Sequence, residues 1–469
     1  MRVLLVNTNR QKSPQTLVPL GVCCLASAGA AAGHEVRVLD LCFERKPSSA
    51  VRNAVGGWTP GVVGLSIRNL DNCDFDSPRS YLPEVVSVAR ACRDAGSARI
   101  VIGGPAVSHA PAALLNMLQA DAAVVGEGEL SFPALLGAVE AGGPMDDLPG
   151  VVTAGGASHA SAPLITDLDT LPDPSPERWL DLKRYAAYGA AMPVQTKRGC
   201  ALACEYCCYP ALEGPRWRLR DPEWVAGQAA ASAGSGLRLV EFVDSVFGLP
   251  TDHAIASCEA IVRASGTPPL TTLDLNPAGC VPELIDAMNA AGFTAVGISA
   301  ESASDTVLRS LGKNYTAEKL YAAADAARGL NARRIWMLLV GAPGETEDTV
   351  TETVRFVESL PHSDLVMVSQ GIRVLPGAPI HRKLVAQGEI DPADDLTRPV
   401  FYHSPHISPQ RAREILAGAK FPSANFSTLS DGGHPLAPLA QRLAAAVGAR
   451  PPYWRHLRLI NRTRRLLRL

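Results

Sequence analysis

Apolar and polar positions alternate along the first 150 residues in two repeating patterns. RVLLVN (Arg2–Asn7) is a short apolar run that ends in a polar loop. PLGVCCLASAGAAAGHE (Pro19–Glu35) has helical spacing, with Gly33 as its stop. VRVLDL (Val36–Leu41) and GVVGLSI (Gly61–Ile67) predict strands, and SYLPEVVSVARACRDAG (Ser80–Gly96) an amphipathic helix. RIVIGGP (Arg99–Pro105) predicts a strand running into a Gly-Gly turn, APAALLNMLQA a helix, DAAVVGEGE (Asp121–Glu129) a strand and glycine-rich loop, and SFPALLGAV a further helix. Short apolar strands joined by helices predict βαβ units and a doubly wound, Rossmann-like parallel sheet. Ligands on such sheets sit at the carboxyl ends of the strands. There the chain places SIRNLDN, GGPAVSHA and GEGELS. Three such loops in succession favour a ligand site over ordinary tight turns.

The pattern changes at 146–190, where Pro, Asp, Gly and Ser dominate and predict a linker. From Met192 the alternation resumes. Arg238–Phe247, Pro269–Asn276, Thr294–Ser302, Arg333–Thr346 and Asp364–Gly377 read as strands with polar ends, separated by helical runs. With MPVQT ahead of them, six strand–helix units predict a partial α/β barrel. The expected division is therefore 1–145, a 146–190 linker, a 191–395 barrel and a small, mostly helical 396–469 extension. The extension ends in PYWRHLRLINRTRRLLRL, whose Arg455, Arg458, Arg462, Arg464, Arg465 and Arg468 among leucines predict a basic amphipathic helix.

A chain of 469 residues with 47% hydrophobic content can bury two or three cores. A net charge of −2 gives no global basic field for nucleic acid. No run of 18 apolar residues predicts a membrane span, and the N-terminal apolar run is too short for a signal peptide, so a cytoplasmic location is expected. In that compartment thiols stay reduced. Of the eleven cysteines, Cys23, Cys24, Cys42, Cys73, Cys92, Cys258 and Cys280 read as small buried hydrophobes.

The other four lie in TKRGCALACEYCCYP, directly after the first barrel strand. Cys200, Cys204 and Cys207 are spaced CxxxCxxC. Zinc would want a fourth ligand from a second CxxC or HxxxH pair, and no such pair follows. Thiolates on one short loop suit an iron–sulfur cluster, and three ligands leave one iron of a four-iron cluster open. Cys208 is a further candidate ligand, although adjacent cysteines rarely point to one metal centre.

This stretch, with Tyr206 before the last cysteine, resembles the radical S-adenosylmethionine (SAM) superfamily. FVDSVFGLP, GISAESASDTVLRSLGK and GAPGETEDT resemble that family's second-, fourth- and fifth-strand segments in order, over about Met192–Gly377. The first 150 residues resemble the cobalamin-binding domain of one large class of the superfamily, through PLGVCCLASAGAAAGHEVRVLD, VVGLSI, VIGGPAVSHAP and VVGEGELSFPALL. The DxHxxG sequence of other corrinoid proteins is missing; the nearest stretch is DLCFERKPS.

The resemblance implies a 4Fe-4S cluster on Cys200, Cys204 and Cys207, with SAM beside Tyr206, Asp244, Glu301, Ser302, Gly341, Pro343 and Gly344. It implies cobalamin, as methylcobalamin, on Arg68, Asn69, Gly103, Gly104, Pro105, Gly126, Glu127 and Gly128. Arg68 would lie under the corrin without ligating cobalt; its plain alternative is a surface arginine paired with Asp71 or Asp74. Arg216, Arg218 and Arg220 would share one face if extended, and either neutralise the cluster or form a solvated edge. Tyr402 and His403 are candidates to face the substrate. The activity implied is a cobalamin-dependent radical SAM methyltransferase acting on an unactivated carbon of a small molecule, served by an electron donor such as flavodoxin or ferredoxin. A rearrangement, cyclisation or ring contraction with the same cofactors, and a non-catalytic cobalamin or cluster sensor, are the alternatives.

Overall fold

The computed structural model describes residues 1–96, 98–153, 164–428 and 437–466, with side chains to 462. Its first sheet holds β1 (Arg2–Asn7), β2 (Glu35–Asp40), β3 (Val62–Ser66), β4 (Arg99–Gly103), β5 (Ala122–Val124) and β6 (Val151–Thr153), in the order β2-β1-β3-β4-β5-β6. All pair in parallel except β6, which runs antiparallel to β5. Alternate residues of β1 explain why its apolar run is unbroken. Leu4 and Val6 pack with Val51, Val88 and Leu114 on one face, while Val3 and Leu5 pack with Val22, Phe132 and Leu136 on the other. The strand order reverses between β1 and β3, which opens a crevice at their carboxyl ends. Several flanking helices start on proline, among them Pro47–Trp58, Pro111–Leu118 and Pro282–Ala291, where the missing N–H costs nothing.

The second sheet begins with β7 (Met192–Val194). A short pair, β8 (Lys197–Arg198) with β9 (Arg218–Leu219), encloses the cysteine stretch. Then come β10 (Val240–Phe242), β11 (Leu270–Leu275), β12 (Phe293–Glu301), β13 (Arg333–Val340) and β14 (Leu365–Gln370). A second short pair, β15 (Ile372–Arg373) with β16 (Phe401–Tyr402), precedes β17 (Phe426–Thr428). The order β17-β14-β13-β12-β11-β10-β7 is that of an open parallel barrel of the six expected strands plus one more. Two expected boundaries move. β6 lies past residue 145 yet completes the first sheet, and β17 lies past 395 yet pairs with β14. A three-residue strand carries too little alternation to be seen in sequence.

The C-terminal helix Leu457–Leu466 packs on the barrel: Asn461 Nδ2 donates to the carbonyls of Ala424 and Phe426 at 3.1 and 2.9 Å. The side chains of Arg464 and Arg465, and Arg468 itself, lie outside the described residues. Among the described residues no helix is long and apolar enough to cross a membrane. Two scattered cysteines depart from expectation: Cys24 is half-buried, and Cys73 is exposed at φ 52°.

Candidate functional site

The cysteine loop is held from below by a buried ion pair. Lys197 Nζ lies 2.8 Å from Asp244 Oδ2, with both side chains 0% exposed. Asp244 also accepts from the Thr196 amide at 2.7 Å and the Thr196 hydroxyl at 2.6 Å, and Lys197 Nζ donates to the Phe247 carbonyl. The Asp244 oxygens are thus engaged within the protein, and the residue ties β10 to the stem of the cysteine loop.

Two glycines let the loop run against its neighbours. Gly199 has φ 83°, and a Cβ there would lie 2.1 Å from the Arg216 carbonyl oxygen. Gly312 has φ 64°, and its Cβ would meet the Ala203 carbonyl at 2.6 Å. The amides of Cys200 and Glu205 donate to Gly214 and Leu311, and the Glu205 carbonyl accepts from Ile380. Cys200 and Cys204 are buried and Cys207 half-buried. Burial raises the Cys204 thiol, an effect opposed by Lys313, and pushes Cys207 up to about 12. Among the described residues no three His, Cys, Asp or Glu side chains converge into a ready metal cage. The thiols nonetheless lie close enough to perturb one another, on a rigid loop, and metal binding would take place with release of their protons. The donor set therefore fits an iron–sulfur cluster. Cys208 caps the helix Tyr209–Glu213, with its thiol raised by burial to about 11.

Beside the thiols, Glu301 ends β12 at φ 56°, a strained position for a side-chain-bearing residue. Its Oε1 accepts from the Tyr206 hydroxyl at 2.7 Å and from Lys313 Nζ at 3.0 Å, and Lys313 Nζ lies 2.8 Å from the Tyr206 oxygen. Burial works against the charge on Lys313, but Glu301 and the thiols more than offset it, and its pKa is raised. Ser302, by contrast, is fully buried, bonded to Thr353 Oγ1 at 3.1 Å and to the Ser304 amide. It fixes the turn after β12.

At the end of β13, Gly341 (φ 94°) leaves room for the His403 ring, which a Cβ would meet at 2.5 Å. Pro343 offers its carbonyl to Ser310, and Gly344 turns the chain at φ 76°. Glu345 Oε2 accepts from the amides of Gly341 and Ala342. His403 is wedged behind this turn, 3.3 Å from Gln370 Nε2, and burial lowers its pKa. Tyr402 packs against the apolar cluster of Val307, Leu339 and Ile372.

The carboxyl ends of the first sheet face this loop. The loops after β3 and β4 are locked together: the Ile67 amide donates to Gly103, and the Ala106 amide donates to Ile67. Gly104 has φ 103°, and a Cβ there would lie 2.6 Å from the Ile67 carbonyl oxygen. Its lack of a side chain thus serves this contact, and Pro105 starts the helix that follows. Gly126 turns the chain at φ 76°, its amide bonded to Ser108. At Gly128 a Cβ would meet Leu25 at 2.7 Å, so this glycine serves helix packing. Arg68 and Asn69 are exposed at the mouth of the β1/β3 crevice. Asp71 is not the partner of Arg68; it forms a buried pair with Arg373 at 2.8 Å.

Glu127 clamps the two domains together. It accepts from both terminal nitrogens of Arg218, at 2.7 and 2.6 Å, and from the Ile165 amide. Arg198, two residues before Cys200, bonds Glu129 of the same loop. Arg220 stacks on Trp224 with 3.9 Å to the ring centroid and bonds the Leu168 carbonyl. Arg218 and Arg220 thus hold the linker and the first domain and do not line a solvated edge; Arg216 is exposed. Phe75 packs edge-on to Phe401 and against His403, and His109 meets the Pro376 carbonyl. Three strand-end loops of the first sheet, those after β3, β4 and β5, therefore meet the strand-end loops of the second.

Lys197, Arg198, Glu129, Lys313 and Arg373 were absent from the expected site. Lys197 and Arg198 sit in TKRGC and Lys313 closes LRSLGK, so their nearness to the motifs was the available signal. The Asp71–Arg373 pair spans 302 residues and left none.

Comparisons with known proteins agree with this geometry. The Radical SAM superfamily profile matches residues 194–357, and the B12 binding domain profile matches 7–136. An uncharacterized methyltransferase of Pyrococcus horikoshii is 26% identical over 77% of this chain and 78% of its own length. The tryptophan 2-C-methyltransferase of Streptomyces laurentii is 25% identical over 82% and 74%. The structure of the radical SAM methyltransferase TsrM from Kitasatospora setae, with tryptophan substrate and a SAM analog bound, superposes at TM-score 0.86 over 100% of both chains, at 22% identity. The cobalamin-dependent SAM radical enzyme OxsB, with aqua-cobalamin and SAM bound, gives 0.72 over 89% of this chain and 66% of that one, at 17% identity. The chain thus carries a B12 binding domain at 7–136 ahead of a radical SAM domain at 194–357.

Proposed function

We propose that this chain is a cobalamin-dependent radical SAM methyltransferase that moves a methyl group from methylcobalamin to an unactivated carbon of a small molecule. One observation carries the reading. The strand-end loops of the two sheets are joined across one interface by the Glu127–Arg218, Glu129–Arg198 and Asp71–Arg373 pairs, so two cofactors held on those loops would open on a single cavity. Two relatives that align along most of this chain carry methyltransferase in their names.

When bound, the cluster with SAM supplies hydrogen-atom abstraction, and cobalamin supplies the methyl group. The protein's part is placement. Cys200, Cys204 and Cys207 would hold the cluster. Tyr206, Glu301 and the Gly341–Gly344 turn would line the SAM site, with Lys313 fixing Glu301 and Tyr206 in one geometry. Arg68 and Asn69 would lie under the corrin, and the Gly103–Pro105 and Gly126 turns would border it. Phe75, Phe401 and Tyr402 would exclude water from the space between. The electron donor we infer is a small reductant such as flavodoxin or ferredoxin, and the location cytoplasmic, in keeping with eleven free cysteines.

Anaerobic turnover tests the reading. A radical transfer yields one S-adenosylhomocysteine and one 5′-deoxyadenosine per methylated product. S-adenosylhomocysteine alone with methylated product marks a polar transfer. 5′-Deoxyadenosine without any methylated product contradicts methyl transfer and points to a rearrangement or cyclisation.

A further inference from the structure

Most buried carboxylates near the two domains' meeting surfaces have a cation: Asp244 has Lys197, Glu301 has Lys313, Asp71 has Arg373, Glu127 has Arg218 and Glu129 has Arg198. Glu345 has none, but backbone amides cap it. Two others break the rule. Glu241 lies in β10 between Val240 and Phe242, which both pack in the core, so its side chain leaves on the opposite face, into the barrel. It is 7% exposed. Its Oε2 accepts from Gln15 Nε2 of the first domain at 2.8 Å, and among the described residues its Oε1 accepts no hydrogen bond. Asp274 lies near the end of the adjacent strand β11, and among the described residues neither of its side-chain oxygens accepts a hydrogen bond. β10 and β11 pair in parallel, with Glu241 opposite Thr271 three residues before Asp274, and the next strand, β12, ends in Glu301. Asp244 and Glu301 already own their lysines, and Arg68 is exposed at the mouth.

We propose that Glu241 and Asp274 form the anionic wall of the substrate pocket and bind a cationic nitrogen, an amino group, on the substrate. The inference rests on the reading that this cavity receives substrate. Without a cation, burial holds each carboxyl at about 7. A bound ammonium would favour the charged forms and expel protons. Affinity for an amine should therefore rise as pH climbs through 7.

Tryptamine and indole-3-propionate test this, since they share one ring system and differ in terminal charge. Calorimetry on SAM-loaded holoenzyme at neutral pH, in buffers of different ionisation enthalpy, is expected to give about tenfold tighter binding of tryptamine, with net proton release. Glu241→Gln and Asp274→Asn are each expected to weaken tryptamine about tenfold while leaving SAM binding unchanged. Equal affinity for the two probes, or no binding of tryptamine, overturns the proposal. So does a loss of SAM affinity with tryptamine binding intact, which would assign the pair to the SAM ammonium. Should one variant fail to load iron and cobalamin, the other decides, and the wild-type comparison needs neither. Amine binding without methylated product in turnover would contradict the proposed function and leave this site standing.

Discussion

The two strand-end surfaces that face each other are built in opposite ways. Around the cysteine loop of the barrel, charges are paired before any ligand arrives: Lys197 with Asp244 under the loop, and Lys313 with Glu301 and Tyr206 beside it. On the first-domain side, the surface is mostly backbone. Ile67, Gly103 and Ala106 lock two loops together, Gly104 permits their approach, and Arg68 stands exposed without an ion pair among the described residues. A small, charged ligand has to be met by fixed charges in a buried site, because reorganising them during reaction costs energy. A broad, flat ligand can be met by shape, and glycine turns provide the flat surface. The difference predicts that the two sides fail separately.

The largest effect is expected at the thiols. Cys200→Ala, Cys204→Ala or Cys207→Ala should each abolish the roughly four irons per chain of the reconstituted protein, with cobalamin binding intact. Cys208→Ala should keep the iron; its loss would revise the ligand set. Asp244→Asn should come next. It leaves Lys197 buried without a counter-charge and should cost ~3–5 kcal/mol in denaturant unfolding. Iron loading should fall with it, and cobalamin retention should not.

A pH effect follows on the barrel side. Burial raises the Glu345 carboxyl from 4.5 to about 7, against the opposing hydrogen bonds from Gly341 and Ala342. The folded protein therefore holds a proton that the unfolded chain gives up. The contribution of Glu345 to stability is full below pH 4.5 and is lost as pH rises to about 7, by up to ~3 kcal/mol. Glu345→Gln should flatten that slope in unfolding curves taken across the window; an unchanged slope would show that Glu345 does not titrate there. Gly104→Ala should have the smallest effect, ~1–3 kcal/mol from its positive φ and the contact with Ile67. It should appear as weaker cobalamin retention with iron content unchanged. If Gly104→Ala lowers iron, or Asp244→Asn lowers cobalamin, the two surfaces are not independent.

The parts legible in sequence were those written locally. Strand–helix alternation marked both sheets, and CxxxCxxC after β7 marked the cluster loop. Tyr206 and Glu301 were found because motifs carried them, and a hydrogen bond joins them directly. Asp244 was found as a strand-end acid but its partner was not, because a carboxylate's partner depends on the fold: Lys197 is 47 residues away. The arginine of Glu127 was hidden for the same reason, since it lies 91 residues downstream. Glu241 and Asp274 drew no notice, because what distinguishes them is the lack of a cation, which only packing reveals.

The central claim is that both cofactor surfaces open on one cavity. Label transfer in the absence of substrate tests it most directly. Reconstituted holoenzyme would be incubated anaerobically with a reductant and SAM deuterated in its methyl group, and the bound cobalamin then extracted for mass spectrometry. The account predicts cobalamin carrying the deuterated methyl group, with one S-adenosylhomocysteine formed for each. Unlabelled cobalamin, with SAM cleaved only to 5′-deoxyadenosine, would mean that the two sites do not communicate and would contradict it.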